Sequence, residues 1–345
     1  MKRMESAVTS SARNWWVYKG DNTPHTGIGN LPPPPPWREF DGQVVEERPI
    51  EDDPQYEKRF GRGRTFQASE KEVEMVNAAL YLRRPLLVTG KPGTGKSSLA
   101  YAVAHELNLG RVLRWSITSQ TTLLDGLYRY DAIGRLQDAS LNKSVPNIGR
   151  FIRLGPVGTA LLPTRIPRVL LIDEIDKSNI DLPNDLLNIF EEGEFEIPEL
   201  ARLSKEQEGV EVATHESQAQ ATIERGKVKC YAFPFVVLTS NGERELPPAF
   251  LRRCLRLDID EPTDAKLAKI VRAHFGGTSS LTESKQNELI GMFVSRREEG
   301  RGSLATDQLL NAIYLITQGV DLRVEEDSKD ALIESVWRYL SSTGL

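Results

Sequence analysis

The sequence has few residues of the kinds that form disulfides or hold metal ions. Its 345 residues include only two cysteines, Cys230 and Cys254, and four histidines. None of the histidines stands at a spacing typical of a metal site. Two cysteines exclude a scaffold built on disulfides and a zinc site made of cysteines alone.

Long apolar runs and an excess of charge of one sign are also missing. No run approaches the roughly 20 apolar residues of a membrane span, and residues 1–15 lack the apolar core of a secretion signal. The 44 Lys and Arg nearly balance the 49 Asp and Glu, for a net charge of −5. That balance argues against duplex nucleic acid as the main partner. With 39% apolar and 27% charged residues, we predict a soluble cytoplasmic protein with no membrane partner.

Residues 1–65 differ in composition from the rest. They contain Trp15, Trp16, Trp37 and an unbroken run of prolines at residues 32–36. Proline fixes φ and lacks an N–H, so the run predicts an extended polyproline II segment. A tail without fixed structure, or a ligand for an SH3-type domain, would also carry such a run. Because a floppy tail seldom holds three tryptophans, we predict an ordered arm laid over the folded body.

Residues 66–261 alternate short apolar runs with helical patterns. The runs start near Leu86, Val112, Val169, Val236 and Leu255. Continuous apolar strands separated by helices indicate an α/β fold with a parallel sheet covered on both faces. Two stretches interrupt the pattern. Residues 128–136 are predicted to form a hairpin, and the polar residues 194–233 an insertion with candidate strands at 211–212 and 228–230.

Residues 262–345 change character. Four amphipathic helical patterns follow one another there, at residues 264–274, 282–297, 305–317 and 328–340. Pro262 marks a plausible boundary before them. We therefore predict a small, all-helical second domain over residues 262–345.

The strongest local signal is a glycine-rich loop at residues 90–97. It fits the pattern G-x-x-x-x-G-K-[ST], follows a predicted strand and opens a predicted helix. The glycines let main-chain N–H groups curl around phosphate oxygens, and the helix N-terminus adds its dipole. The amine of Lys96 suits the β- and γ-oxygens, and the Ser97 hydroxyl suits Mg²⁺. The predicted nucleotide-binding residues are Gly90, Lys91, Pro92, Gly93, Thr94, Gly95, Lys96, Ser97 and Ser98.

Polar residues end two of the other predicted strands. Asp173 and Glu174 follow an apolar strand, and Asn241 follows another. Ligands of open α/β sheets bind at the carboxyl ends of the strands. We expect Asp173 to face the Mg²⁺ that Ser97 holds, Glu174 to polarise a water, and Asn241 to bond that water or a γ-oxygen. Two alternatives fit the same residues. Asp173 and Glu174 could be a charged strand end that faces solvent, and Asn241 with Gly242 could be a simple Asn-Gly turn.

The glycine-rich loop, the acidic strand end and Asn241 follow one another in the order found in the AAA+ ATPases, which the sequence therefore resembles. In that family these motifs are named Walker A (residues 90–97), Walker B (169–174) and sensor 1 (Asn241). Several stretches look most like the MoxR-like branch of the helix-2-insert clade. They lie at residues 155–156, 160–162, 172–177, 186–193 and 246–253. The resemblance covers roughly residues 70–340.

The resemblance implies a P-loop core with a helical lid, and Mg²⁺-dependent hydrolysis of ATP. It also implies a hexameric ring in which Arg253, with Arg252 in reserve, acts on the neighbouring subunit's nucleotide. The implied catalytic set is Lys96, Glu174, Asn241 and Arg253. The hairpin at residues 128–136 would be the insertion in helix 2, and both insertions would line a central pore. The implied partner is a protein client, in some relatives a von Willebrand A-type protein, which is remodelled or activated in a chaperone-like way.

Some points stay open at this level. Residues 302–308 hold no Lys or Arg where relatives usually carry the basic sensor 2 residue, although Arg301 lies just upstream. Adenine contacts are expected near Val76, Asn77 and the lid, and the preference for ATP over GTP is undetermined. Two rival functions remain: a nucleic-acid-associated motor of the same clade, and a nucleotide-gated scaffold or defence switch with slow hydrolysis.

Overall fold

The structure is a computed structural model that describes residues 15–44, 61, 63–142, 147–203, 208–216, 219–276, 283–298 and 304–318. The strands are β1 (Leu86–Thr89), β2 (Val112–Ser116), β3 (Tyr128–Tyr130), β4 (Ile152–Leu154), β5 (Val169–Asp173), β6 (Glu194–Glu196), β7 (Gly209–Ala213), β8 (Gln220–Glu224), β9 (Lys227–Lys229), β10 (Phe235–Ser240) and β11 (Leu255–Asp258). The helices are α1 (Glu70–Leu82), α2 (Lys96–Glu106), α3 (Leu123–Leu127), α4 (Ala132–Asn142), α5 (Pro156–Ala160), α6 (Leu182–Glu192), α7 (Pro198–Ala201), α8 (Pro248–Arg253), α9 (Asp264–Phe275), α10 (Glu283–Glu298) and α11 (Thr306–Thr317).

Five parallel strands form the central sheet, in the order β11-β1-β10-β5-β2. Helices pack on both of its faces, and every residue of β5 and β10 is buried. Strands that are covered on both sides must be apolar throughout rather than alternating, which is the pattern the sequence carries. The predicted α/β fold and its five strands are confirmed.

Local signals set the ends of the helices around the sheet. Ser69 and Glu72 form a reciprocal capping box at the start of α1, with the Ser69 N–H donating to Glu72 Oε2 at 2.6 Å. Gly95 precedes α2 with a φ of 90°, which favours glycine. The glycine-rich loop therefore runs directly from β1 into the N-terminus of α2.

A second sheet of six strands lies beside the first, in the order β3-β4-β7-β8-β9-β6. Its strands β6 to β9 lie in the predicted insertion at residues 194–233, where β7 includes the candidate strand at 211–212 and β9 includes residues 228 and 229 of the candidate strand at 228–230. The hairpin predicted over residues 128–136 is wrong. Only β3 is a strand there; it pairs antiparallel with β4, 22 or more residues further on, and the chain then enters the helix α4.

The N-terminal arm, defined here as residues 15–44, lies against the central α/β unit. The side chain of Asn77 on α1 accepts the N–H groups of Val17 and Tyr18 at 2.7 and 3.0 Å. The carboxylate of Glu106, at the end of α2, accepts the N–H groups of Gly20 and Asn22 at 3.1 Å each. These two fully buried side chains satisfy arm N–H groups that would otherwise lack partners.

The tryptophans of the arm differ in their surroundings. Trp15 meets the ring of Tyr81 edge-on at 5.4 Å between ring centres, and Trp16 is half-buried. Trp37, in contrast, is 74% exposed, so the argument that all three tryptophans seek burial is wrong for it. The extended backbone expected for the prolines holds at Pro35, and a short 3₁₀ turn, Pro36–Arg38, follows.

Helices α9, α10 and α11 match three of the four predicted amphipathic patterns and share an apolar cluster of their own. The fourth pattern, at residues 328–340, lies outside the described residues. Among the helices that the structure describes, none combines the length and apolar character needed to cross a membrane.

Candidate functional site

The carboxyl ends of three neighbouring strands bring the predicted site residues together. Strand β10 lies between β1 and β5, with Thr89 opposite Ser240 and Ile172 opposite Leu238. The loop after β1, the acidic pair after β5 and Asn241 after β10 therefore leave the sheet at one edge, which we call the carboxyl edge. Binding crevices in open α/β sheets lie at this edge.

The glycines of the loop adopt backbone conformations that other residues avoid. Gly90, Gly93 and Gly95 have φ values of 148°, 77° and 90°. A Cβ atom on Gly90 would approach the carbonyl oxygen of Ile259 to 2.5 Å, and one on Gly93 would overlap Ala305. The loop therefore needs glycine both for its backbone conformation and for its close packing against Ile259 and Ala305. We call this loop, residues 90–97, the cradle, because glycine-rich loops of this kind can turn main-chain N–H groups towards a phosphate.

Lys96 lies inside this cradle, 7% exposed. Its amine donates to the carbonyl oxygens of Gly90 and Lys91 at 2.7 and 2.8 Å. Burial lowers the pKa of Lys96 from its usual value, and the carboxylates of Asp176, Asp173 and Glu174 oppose that change. A charged amine held against loop carbonyls is positioned to meet phosphate oxygens in the same cradle.

The Ser97 hydroxyl and the Asp173 carboxylate are in direct contact. Ser97 Oγ donates to Asp173 Oδ1 at 2.7 Å, and Thr239 Oγ1 donates to the same oxygen at 2.7 Å. Mg²⁺ in nucleotide sites takes oxygen ligands from one or two side chains and from the phosphates. The hydroxyl and the carboxylate are therefore an oxygen pair of the kind that would suit a Mg²⁺ ion, and their role as its ligands stays a prediction.

An arginine that the sequence did not single out also holds Asp173. Arg114, on the edge strand β2, donates to Asp173 Oδ2 from Nη2 at 2.6 Å and from Nε at 3.1 Å. Burial alone would raise the pKa of Asp173, but the hydrogen bonds from Ser97, Thr239 and Arg114 outweigh burial. The pKa of Asp173 therefore lies below its usual value, and the group stays ionised.

Glu174 has an unusual backbone conformation for a residue with a side chain. Its φ of 63° and ψ of 51° place it in the left-handed region, and its N–H donates to Thr239 Oγ1 at 2.9 Å. Such a conformation costs on the order of 1 kcal/mol and is concentrated at functional sites. The carboxylate is about half exposed and pairs with Lys177 at 3.0 Å. The partner of Glu174 is thus a half-exposed lysine, and such a surface ion pair is weak enough for water or substrate to replace it.

A buried carboxylate holds the turn that carries Asn241. Asp176 is 2% exposed, and its Oδ2 accepts the N–H groups of Asn241 and Glu243 at 2.9 and 3.0 Å. Its Oδ1 has no hydrogen-bond partner within the described part of the chain. Asp176 therefore joins the segment after β5 to the segment after β10.

Arg253 does not join these residues. It ends α8, just before β11 begins with Leu255 opposite Leu86, the first residue of β1. It therefore lies at the amino edge of the sheet, separated from the loop by the length of β1, roughly 10 Å or more. Arg252 lies beside it on the same helix. Neither arginine can serve the nucleotide of its own chain.

The residues expected to contact adenine are buried, whereas the predicted lid touches the loop. Val76 and Asn77 are fully buried, and the Asn77 side chain binds the arm, so Asn77 does not line an open pocket. The start of α11 touches the loop, with the Thr306 N–H donating to the Gly93 oxygen at 3.3 Å. Arg301 lies outside the described residues.

Residues 85–254 match the family of AAA domains of the dynein-related subfamily. Over this region the chain is similar to AAA domains. The matched region contains the loop, both carboxylates, Asn241 and Arg253, and the match supports nucleotide binding and ATPase activity in general. No curated protein matches the chain.

Three polar partners in the matched region were not predicted from the sequence. Arg114, Thr239 and Asp176 all contact the predicted residues or their backbone. Their strands and turns become neighbours only through the strand order β10-β5-β2, which spacing along the chain does not reveal. The one available signal was Asp176, a third acidic residue within four positions of Asp173.

Proposed function

We propose that this chain is a ring-forming, MoxR-like AAA+ ATPase that hydrolyses Mg-ATP and uses the energy to remodel or activate a partner protein. The observation that carries the proposal is the 2.7 Å contact between Ser97 Oγ and Asp173 Oδ1, made beside a buried Lys96 and a glycine cradle. A hydroxyl, a carboxylate and an amine that converge on one loop suit a magnesium-bound triphosphate.

Each residue has a distinct task in this proposal. Lys96 and the loop N–H groups bind the β- and γ-phosphates, and Ser97 with Asp173 would hold Mg²⁺, which neutralises phosphate charge. Glu174 accepts a hydrogen bond from the attacking water and orients it towards the γ-phosphorus. Asn241, at the end of the middle strand, donates to the γ-phosphate or to that water.

The position of Arg253 supports the proposal of a ring. An arginine at the amino edge reaches a nucleotide only if that nucleotide belongs to another chain. A head-to-tail contact that repeats with the right rotation closes into a ring, and the resemblance described above favours six subunits. Arg253 would then stabilise charge on the phosphoryl group in the neighbouring site.

The second sheet and α4 support a role in contacting a protein partner. Three apolar side chains of α4, Ile133, Leu136 and Leu141, are between 70% and 82% exposed. Apolar residues at this exposure on one short helix favour a protein surface as the partner over a polyanion. The client could include a von Willebrand A-type protein, as the resemblance implies.

The decisive experiment is the change Glu174→Gln. We expect steady-state hydrolysis to fall by roughly 100-fold or more because the amide orients and deprotonates water poorly, whereas the Kd for Mg-ATP changes by less than about threefold. Phosphate release and binding of a fluorescent ATP analogue measure the two quantities. Glu245→Gln, at an exposed carboxylate in the loop after β10, is the matched control. Unchanged turnover in Glu174→Gln would remove Glu174 from the mechanism.

Slow hydrolysis that acts as a timer is the second candidate. Both acidic residues already have partners within the chain: Asp173 binds Arg114 and Glu174 binds Lys177. Hydrolysis then requires these pairs to open, which predicts a low basal rate. A rate that rises at least tenfold only when a partner is added would favour the timer, and a high rate of the isolated ring would oppose it.

A further inference from the structure

The arm places a buried arginine beside the candidate trans-acting residue. Arg38 is 5% exposed, although it belongs to a segment far from the AAA domain in sequence. Its guanidinium lies 5.2 Å from the ring centre of Phe40 and 4.9 Å from that of Phe233, and its Nη2 donates to the carbonyl oxygen of Arg83 at 2.6 Å. These contacts fix Arg38 in one orientation.

One carboxylate connects Arg38 to Arg253. Glu191, near the end of α6, uses its two oxygens separately. Oε2 accepts from Arg38 Nη1 at 3.2 Å, and Oε1 accepts from Arg253 Nε at 2.9 Å. A narrow cavity, lined in part by Arg38, Glu191, Arg253 and Cys254, lies next to this group. The three charged side chains therefore form one chain of contacts at the amino edge.

The three members of this chain are buried to different degrees. The side chains of Glu191 and Arg253 are 40% and 47% exposed, whereas that of Arg38 is 4% exposed. An ion pair between two half-exposed side chains alone would hold neither in a single orientation. The buried Arg38 restrains Glu191, and Glu191 in turn restrains Arg253.

The arm itself is held on both sides of its proline run. Besides the bonds from Val17 to Asn22, the Gly42 N–H donates to the carbonyl oxygen of Cys230 at 3.1 Å, and a Cβ on Gly42 would overlap the backbone of residue 229. Asp41 pairs with Lys229 at 2.5 Å. The backbone that carries Arg38 is therefore held by close-fitting contacts between the arm and the second sheet.

We propose that Arg38 is a positioning residue which acts through Glu191 to orient Arg253 towards the nucleotide of a neighbouring subunit. The N-terminal arm is then part of the machinery that sets the rate of hydrolysis in trans. This inference rests on the proposed function, because it requires Arg253 to act on the neighbour's nucleotide.

The first test is Arg38→Met in the full chain, which keeps a long apolar stem between the two rings and removes the charge. We expect kcat to fall about tenfold, as small displacements of a catalytic group do, while KM for ATP changes by less than about twofold because the loop lies at the other edge. Trp37→Ala removes an adjacent, exposed arm side chain and is the matched control, with unchanged kcat.

Combination with Arg253→Ala separates an indirect effect from a direct one. Arg253→Ala alone is expected to lower kcat by roughly 1,000-fold, and adding Arg38→Met should lower it no further. Additive losses would overturn the inference, since Arg38 would then act by another route. An unchanged kcat in Arg253→Ala would instead refute the trans role in the proposed function. A large loss there, with normal turnover in Arg38→Met, would refute the inference alone.

Mixing subunits excludes a simple folding defect. Glu174→Gln subunits cannot hydrolyse but carry a correctly held Arg253, whereas Arg38→Met subunits carry an intact hydrolytic site. We expect mixtures to exceed the summed activity of the separate variants at least threefold, because each repaired site combines parts of two chains. No gain in activity on mixing would mean that Arg38 has only a structural role. A melting temperature of Arg38→Met several degrees below that of Trp37→Ala would mean the same.

Discussion

The two edges of the central sheet hold charge in opposite ways. At the carboxyl edge, Lys96 is buried among loop carbonyls and Asp173 is held by Ser97, Thr239 and Arg114. At the amino edge, Arg253 is half exposed and depends on one carboxylate. The first arrangement suits a site that binds ligand within the chain, and the second suits a group presented to another molecule. Under the proposed function, the carboxyl edge binds the nucleotide and orients the water within one chain, and the amino edge presents Arg253 to another chain.

The substitution Lys96→Ala is expected to have the largest effect on the difference between the two edges. The carboxyl edge would lose its buried cation while the amino edge stays intact, so we expect the affinity for Mg-ATP to fall by about 100-fold or more. Titration calorimetry measures the affinity directly. Lys71→Ala, which removes a surface lysine that bonds the carbonyl oxygen of Asp258, serves as the control. Normal ATP affinity in Lys96→Ala would mean that the cradle is not the phosphate site.

A smaller effect is expected at Asp176, which fixes the turn of Asn241. Asp176→Ala leaves two N–H groups without their acceptor, so we expect a loss of about 1–3 kcal/mol in the free energy of unfolding. The Asn241 turn should loosen as well, lowering kcat more than it raises KM. Asp176→Asn keeps an acceptor oxygen and should lose less of both. Urea unfolding and steady-state kinetics test this, and equal stability of all three proteins would contradict it.

The reactivity of the two cysteines sharpens the description of the amino edge without any substitution. Burial raises the pKa of Cys230 and of Cys254 to about 12, so both thiols stay protonated at neutral pH and react slowly. Because the reactive thiolate is the minor form below that pKa, labelling of the native protein should quicken about tenfold per unit between pH 7 and pH 10. The unfolded chain should instead level off near pH 9.

An aromatic disulfide reagent followed by absorbance gives both labelling rates. At pH 8 we expect the native rate to be at least about 100-fold slower than the rate in denaturant. Rapid labelling of Cys254, which lines the cavity beside Arg253, would show that the amino edge opens and is less ordered than the comparison states.

Much of the central unit could be predicted from the sequence because its signals are local. The strands β1, β5 and β10 are unbroken apolar runs, and the glycine pattern specifies a loop between a strand and a helix. The hairpin predicted over residues 128–136 is wrong because the residues assigned to its turn, Ala132, Ile133 and Gly134, are equally compatible with the start of a helix. The partner of β3 lies at residues 152–154, and such distant pairing leaves no short-range signal.

The contacts that distinguish this chain could not be predicted in the same way. Arg38 and Glu191 are 153 positions apart, and Arg114 meets Asp173 across 59 positions. Each pair depends on the order of strands or on the course of the arm. Arginine is almost never fully buried unless it is paired. A sequence analysis therefore places an arginine of a proline-rich arm, such as Arg38, on the surface.

The bond from Thr306 to the Gly93 oxygen joins the first turn of α11 to the glycine-rich loop. Helix α11 has twelve residues, so its far end lies about 18 Å from that contact. If the loop changes conformation when it binds a nucleotide, this contact is the point at which the C-terminal helices would first be affected.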